Sequence, residues 1–141
     1  MNCPEKKEMG DSAPLYVYKI VPSTNPVREP LPERLPVSHI DQSSGFIHLL
    51  TALQVPIALK AIFESEPMVY VLRIPYNKVR QDIRWETADG ALREALPGEE
   101  LCPHLYNEFN LGRDDVESIA VWINENGWEK VLLQTGTWLL Y

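Results

Sequence analysis

"GFIHLLTALQV", residues 45–55, changes its period halfway along, and that change decides how the chain folds. From Phe46 to Leu50 the residues alternate as in a strand, with Phe46, His48 and Leu50 on one face and Ile47, Leu49 and Thr51 on the other. Thr51 followed by Gln54 matches a capping box, so a helix begins there. Val55, Leu59, Ile62 and Phe63 recur at helical spacing and form its expected buried stripe. Pro56 either kinks this helix or opens its first regular turn. Two questions follow: which segments pair with the strand, and whether His48, set between Ile47 and Leu49, does chemistry.

Working outward, "LYVYKIV" at 15–21 is β-branched and aromatic and reads as a strand, with Lys19 facing away from Tyr18 and Ile20. The stretch "PSTNPVREPLPERLP" at 22–36 holds five of the twelve prolines, which removes backbone donors and leaves an extended surface loop. A loop of that length more often covers a site than merely connects elements. Downstream, "MVYVLRI" at 68–74 is a strand stopped by Pro75, and "IRWE" at 83–86 is another. "TADGALREALPGEE" suggests a short helix over Ala91 to Leu96 with Gly98 near its C-terminal cap. "LCPHLY" returns to an extended form that puts Cys102, His104 and Tyr106 on one face. "ESIAVWI" is a strand, and "NENG" reverses the chain into residues 128–133, as strand or as helix. Strands and helices mix without a regular βαβ rhythm and the turns favour antiparallel neighbours, so the expected class is α+β.

A chain of 141 residues, 45% hydrophobic, buries one core and is too short for two ordinary domains. The expected organisation is a disordered leader, residues 1–13, and a single domain over 14–141. Twenty acidic against thirteen basic side chains give a net charge of -7, which repels a phosphate backbone. Lys19, Arg34, Arg73, Arg84 and Arg93 are scattered; they could serve one small anion but not a nucleic-acid track. The expected partner is a small-molecule substrate, with no nucleic acid. The leader lacks the apolar core of a signal peptide, and no later apolar run approaches the length that spans a bilayer, so no membrane partner is expected. Cys3 and Cys102 make no disulfide framework, which fits a reducing, cytoplasmic location.

Three segments combine aromatic and ionisable groups: "GFIHLL", "IRWE" and "PHLY". A site built from them has His48, His104 and Glu86 as catalytic candidates, with walls from Phe46, Trp85 and Tyr106. Imidazole exchanges protons near neutral pH, a carboxylate stabilises positive charge, and aromatic faces hold a planar ring. Each has a plainer role. A histidine in an apolar strand can be a neutral core residue satisfied by backbone groups. Trp85 can be buried for its area, and Glu86 with Arg84 can be an exposed pair contributing at most about 1 kcal/mol. No metal is expected, since the chain has no CxxC or HxxxH spacing. Cys102 and His104 make a poor nucleophile and base, because same-face strand neighbours lie about 7 Å apart at Cα. Cys102 reads better as a small buried hydrophobe. No glycine-rich phosphate loop occurs.

At these residues the sequence resembles the small proteins grouped as domain of unknown function 952. The likeness rests on "YKIV" at 18–21, "SSGFIHLLTALQV" at 43–55, "RWE" at 84–86 and "PHLY" at 103–106, and covers roughly residues 16–122. Members typically read GFIHLST and PHLYG, where this chain has Leu50 and Asn107; the proline-rich loop and an insertion around 91–100 also depart from the pattern. The resemblance implies a split, largely antiparallel sheet around a central cleft, distantly related to the ADP-ribosyltransferase fold, whose enzymes bind NAD there. In those enzymes a histidine anchors a ribose, an aromatic residue stacks on nicotinamide and a glutamate assists the leaving group. By chemistry these roles fall to His48 or His104, Tyr106 and Glu86, with Lys19 or Arg84 near the pyrophosphate. The resemblance thus implies a transferase or hydrolase acting on NAD or a related nucleotide. Two other functions fit the residues: an isomerase, lyase or cyclase on a small apolar metabolite using His48 and His104 as acid and base, and a non-catalytic binding module.

Overall fold

Alternating β-branched and aromatic runs supply the longer strands, and proline, glycine and asparagine mark where they stop. The computed structural model describes residues 13–88 and 100–141. In chain order these form β1 (Tyr16–Pro22), α1 (His39–Ser44), β2 (Ile47–His48), α2 (Gln54–Ala61), β3 (Met68–Pro75), α3 (Tyr76–Val79), β4 (Ile83–Glu86), β5 (Cys102–Leu105), β6 (Ser118–Ile123) and α4 (Trp128–Thr135). The leader through residue 12 and the short helix expected at 91–96 lie outside the described residues.

β3 is the centre of one antiparallel sheet, in the order β1-β3-β6. Its Val69 and Val71 face a core with Tyr18, Leu59, Trp122, Trp128 and Val131, so α2 and α4 pack on that side. Ile74 turns the other way, into a second core with Val17, Ile47, Leu49 and Leu105. Burial on both faces explains why "MVYVLRI" is apolar almost throughout. Pro22 and Pro75 occupy strand ends, where a missing N–H costs the ladder least.

The second sheet is antiparallel in the order β2-β5-β4. It joins the first along a narrow seam, where the Tyr18 N–H donates to the Leu50 carbonyl at 2.7 Å and the Leu50 N–H returns to Tyr18 at 2.8 Å. The result is a mixed helix and sheet domain with two small antiparallel sheets, as the α+β expectation holds. Among the described residues no helix is long and apolar enough to cross a membrane.

Three local outcomes differ from or sharpen the sequence expectations. Both halves of the capping box form: the Gln54 N–H donates to Thr51 Oγ1 at 3.2 Å and the Thr51 N–H to Gln54 Oε1 at 3.0 Å. Pro56 is therefore the third residue of α2, in the first turn, where its missing donor has no intrahelical partner to lose. Ile62, expected in the buried stripe, is 70% exposed, because α2 ends at Ala61 and Ala58 and Leu59 fill the core side. Residues 128–135 are helix rather than strand. Asn126 and Gly127 take left-handed φ values of 67° and 102° and break the chain direction, after which Trp128 and Val131 bury one helical face. Trp128 Nε1 then donates to the Phe63 carbonyl at 2.7 Å, tying α4 to the end of α2.

The proline-rich loop lies on the segment after β5. The Leu35 N–H donates to Leu111 O at 2.8 Å and the Arg113 N–H to Pro32 O at 2.9 Å. Docked there, the loop delivers α1, which the sequence reading did not anticipate. Ser38 caps α1 by accepting from the Asp41 N–H at 3.1 Å, and Gly45 closes it at φ 88°, a conformation that favours glycine.

Candidate functional site

Residues two apart on three adjacent strands build one face of the second sheet. Phe46 and His48 come from β2 and the residues before it, His104 and Tyr106 from β5 and the residue after it, and Arg84 and Glu86 from β4. The register pairs His48 with His104 and His104 with Arg84, so these three form a row across the sheet. Phe46 stacks on His104 with ring centroids 4.2 Å apart and lies 4.6 Å from His48 and 5.1 Å from Tyr106. The two imidazoles meet edge to face at 5.4 Å.

Each imidazole has its own carboxylate. His104 Nδ1 lies 2.9 Å from Glu86 Oε1, and the Tyr106 hydroxyl donates to the same oxygen at 2.7 Å. His48 Nδ1 lies 2.7 Å from Asp41 Oδ1, which also accepts the His48 backbone N–H at 3.2 Å. Lys19 Nζ reaches from β1 to within 2.9 Å of Asp41 Oδ2. Exposure separates the two pairs: His104 is 1% exposed, whereas about a third of the His48 side chain, 32%, is open to solvent.

Burial disfavours the charged form of Asp41, but the His48 hydrogen bond and the Lys19 ammonium outweigh it and hold the carboxyl below its ordinary range. His104 is shifted down, chiefly by burial and further by the neighbouring His48, against the opposing pull of Glu86. Burial and the bond to Glu86 push the Tyr106 phenol up to about 12, so it remains a donor. With a carboxylate oxygen against each Nδ1, neutral imidazole carries its hydrogen on Nδ1 and leaves Nε2 as the acceptor. A neutral His104 also spares His48 a second positive charge when His48 takes up a proton.

The Asp41 and His104 shifts are depressions, so these two groups favour the fold above their ordinary values and lose that contribution as pH falls through the folded ones. His104 begins to cost stability below pH 6.5, and Asp41 only below 3.8. Thermal unfolding against pH is therefore expected to decline from about pH 6.5 downward, before the carboxylates titrate. In His104→Gln that first limb should vanish while the steep acid limb stays. An unchanged upper limb in the variant would mean that His104 is not held neutral.

Of the residues singled out from sequence, the structure gathers His48, His104, Glu86, Phe46, Tyr106 and Arg84 on one face, and Lys19 joins through Asp41. Trp85 does not join them. With a period of two it must oppose Arg84 and Glu86, and it packs on the second core with Nε1 donating to the Tyr76 hydroxyl at 3.1 Å. Glu86 is not an exposed partner of Arg84, being 8% exposed and bonded to His104 and Tyr106. Cys102 is half-buried, and among the described residues no three His, Cys, Asp or Glu side chains are arranged to hold a metal ion.

Asp41 is the site residue that sequence reasoning missed. The signal was present as Ser38-x-x-Asp41, an N-terminal capping pattern directly after the proline-rich loop. Only half of that box forms, because the Asp41 carboxylate turns to His48 and Lys19 instead. Two cavities open elsewhere, one of about 320 Å³ between β6 and α4 and one of about 400 Å³ lined by polar side chains including Glu33, Asn107 and Asp115. Neither includes the histidines.

A family model described as "Protein of unknown function (DUF952)" matches residues 29–119, more than half of the chain. Among curated proteins none matches. The crystal structure of protein CC0527 from Caulobacter crescentus is similar, with a TM-score of 0.60 and 22% identity over 79% of this chain and 89% of that one. The solution structure of the same protein gives a TM-score of 0.59 and 20% identity over 89% and 97%. At that identity the likeness concerns the fold.

Proposed function

Because this chain belongs to the DUF952 family, a membership that assigns no chemistry, we propose its role from the site geometry: an acid–base enzyme acting on a small molecule, with His48 as the proton-transferring group. One observation carries this reading. A partly exposed imidazole is clamped at Nδ1 by a buried carboxylate, 2.7 Å away, that is itself paired with Lys19. The clamp fixes the tautomer, turns Nε2 into the available base, and stabilises the imidazolium once the proton has moved. Asp41 is thus a positioning residue and His48 the catalytic one. His104, closed off under Phe46 and held by Glu86, shapes the floor of the site and keeps it free of a second charge. Isomerisation, elimination or hydrolysis can each be run by such a base.

The tautomer is the first thing to measure. Imidazole 15N spectra are expected to give the Nδ1–H form for both His48 and His104. In Asp41→Asn the His48 signal should move toward a mixture of tautomers while His104 stays as it was. Nε2–H signals for His48 in the unaltered protein would remove the proposed base.

A second reading keeps NAD or a related nucleotide as substrate, within an ADP-ribosyltransferase-like fold. What favours it is the adjacency of Tyr106, Arg84, Glu86 and both histidines on one face. His48 or His104 would anchor a ribose, Tyr106 would stack on nicotinamide and Glu86 would assist its departure. Thermal unfolding with NAD, ADP-ribose and nicotinamide tests it, since a ligand at a hundred times its dissociation constant adds about 2.7 kcal/mol. No shift at millimolar ligand would discard it.

A further inference from the structure

The row His48, His104, Arg84 is open at its two ends and closed in the middle. The backbones at its two ends lie two strand spacings apart, about 10 Å. His104 in the centre is buried, His48 is partly exposed, and Arg84 at the far end is exposed. The Arg84 guanidinium lies over the Tyr106 ring, 4.3 Å from its centroid. That cation–π contact holds the guanidinium beside the ring, and its N–H donors make no hydrogen bond among the described residues. Tyr106 is in turn held by its hydroxyl bond to Glu86, so the platform under Arg84 is tied to the floor of the site. Lys19, the other cation here, is occupied by Asp41. Among the described residues Arg84 forms no ion pair of that kind and lies against the Tyr106 ring instead.

Resting on the assignment of His48 as the base, we propose that Arg84 on its Tyr106 platform is an anion subsite, and that the substrates are compact metabolites whose carboxylate or phosphate sits at the opposite end of the row from the proton handled at His48. A planar guanidinium offers either anion two parallel hydrogen bonds. The overall charge of -7 repels long polyanions, so a single small anion is the ligand that fits.

Titration of 15N-labelled protein with inorganic phosphate, and separately with succinate, tests the subsite through the Arg84 Nε–H and Tyr106 backbone signals. Saturable shifts at both positions are expected, with binding about tenfold or more weaker in Arg84→Gln and partly kept in Arg84→Lys, which retains charge without the fork. A response to phosphate alone assigns a phosphoryl ligand, and one to succinate alone a carboxylate; either supports the subsite. Shifts that fail to saturate, or that survive Arg84→Gln, overturn it. The His48 tautomer, read in the same samples, does not depend on Arg84. An Nδ1–H His48 without an Arg84 response therefore sinks the subsite and spares the base, and the opposite pattern does the reverse.

Discussion

His48→Gln is expected to lower turnover about 10²–10⁴-fold, the usual worth of a positioned general acid or base, while the protein still folds. The substrate for this assay comes from a screen of small carboxylates and phosphate esters against the unaltered protein. Folding should survive for a specific reason. Asp41, the buried partner, keeps Lys19 at 2.9 Å and the backbone N–H of residue 48 at 3.2 Å, so losing the ring leaves no isolated charge. The stability cost should stay below about 3 kcal/mol, the upper end for one hydrogen bond to a charged group. Equal turnover in His48→Gln would end the case for His48 as the base. A variant that fails to fold would instead make His48 a structural residue whose exposed third is incidental.

Glu86→Leu is expected to destabilise the protein by at least about 1–3 kcal/mol, because a buried donor and a half-buried one lose their acceptor and the buried one costs that much when stranded. Those donors are His104 Nδ1–H and the Tyr106 hydroxyl, both on Glu86 Oε1. Glu86→Gln keeps an oxygen in place and should lose much less. Removing the donors as well, in Glu86→Leu with His104→Leu and Tyr106→Phe, should recover part of the loss, since an apolar cluster strands nothing. Chemical denaturation measures all three variants. A Glu86→Leu midpoint close to the unaltered protein's would mean that His104 and Tyr106 have other acceptors, and the buried dyad would lose its structural meaning.

Much of the site was legible because strands alternate. "GFIH", "IRWE" and "PHLY" each place two chemistry-bearing residues two apart, and a period of two sends them to one face whatever the strand order. The same rule, applied strictly, excludes Trp85, which sits between Arg84 and Glu86 and so must point into the second core with Tyr76. Ile62 escaped the helical rule because the stripe extends only as far as the helix, and α2 stops at Ala61. Residues 128–135 were ambiguous because a short apolar run fits either period; contact of Trp128 with the end of α2 favours the helix.

By itself, then, the sequence determined the α+β class, the capped helix after residue 51, strands within 15–21, 68–74, 83–86, 101–106 and 117–123, and the placing by face of Phe46 with His48 and of His104 with Tyr106. These follow from local periodicity and capping, which act over a few residues. Only the tertiary structure decided that His48 and His104 are register neighbours, that Asp41 and Lys19 converge on His48, and that one imidazole is buried while the other is open. Those outcomes depend on how the proline-rich loop docks on residues 111–113 and on where the two sheets join at Tyr18 and Leu50, contacts between residues far apart in the chain that no local pattern encodes.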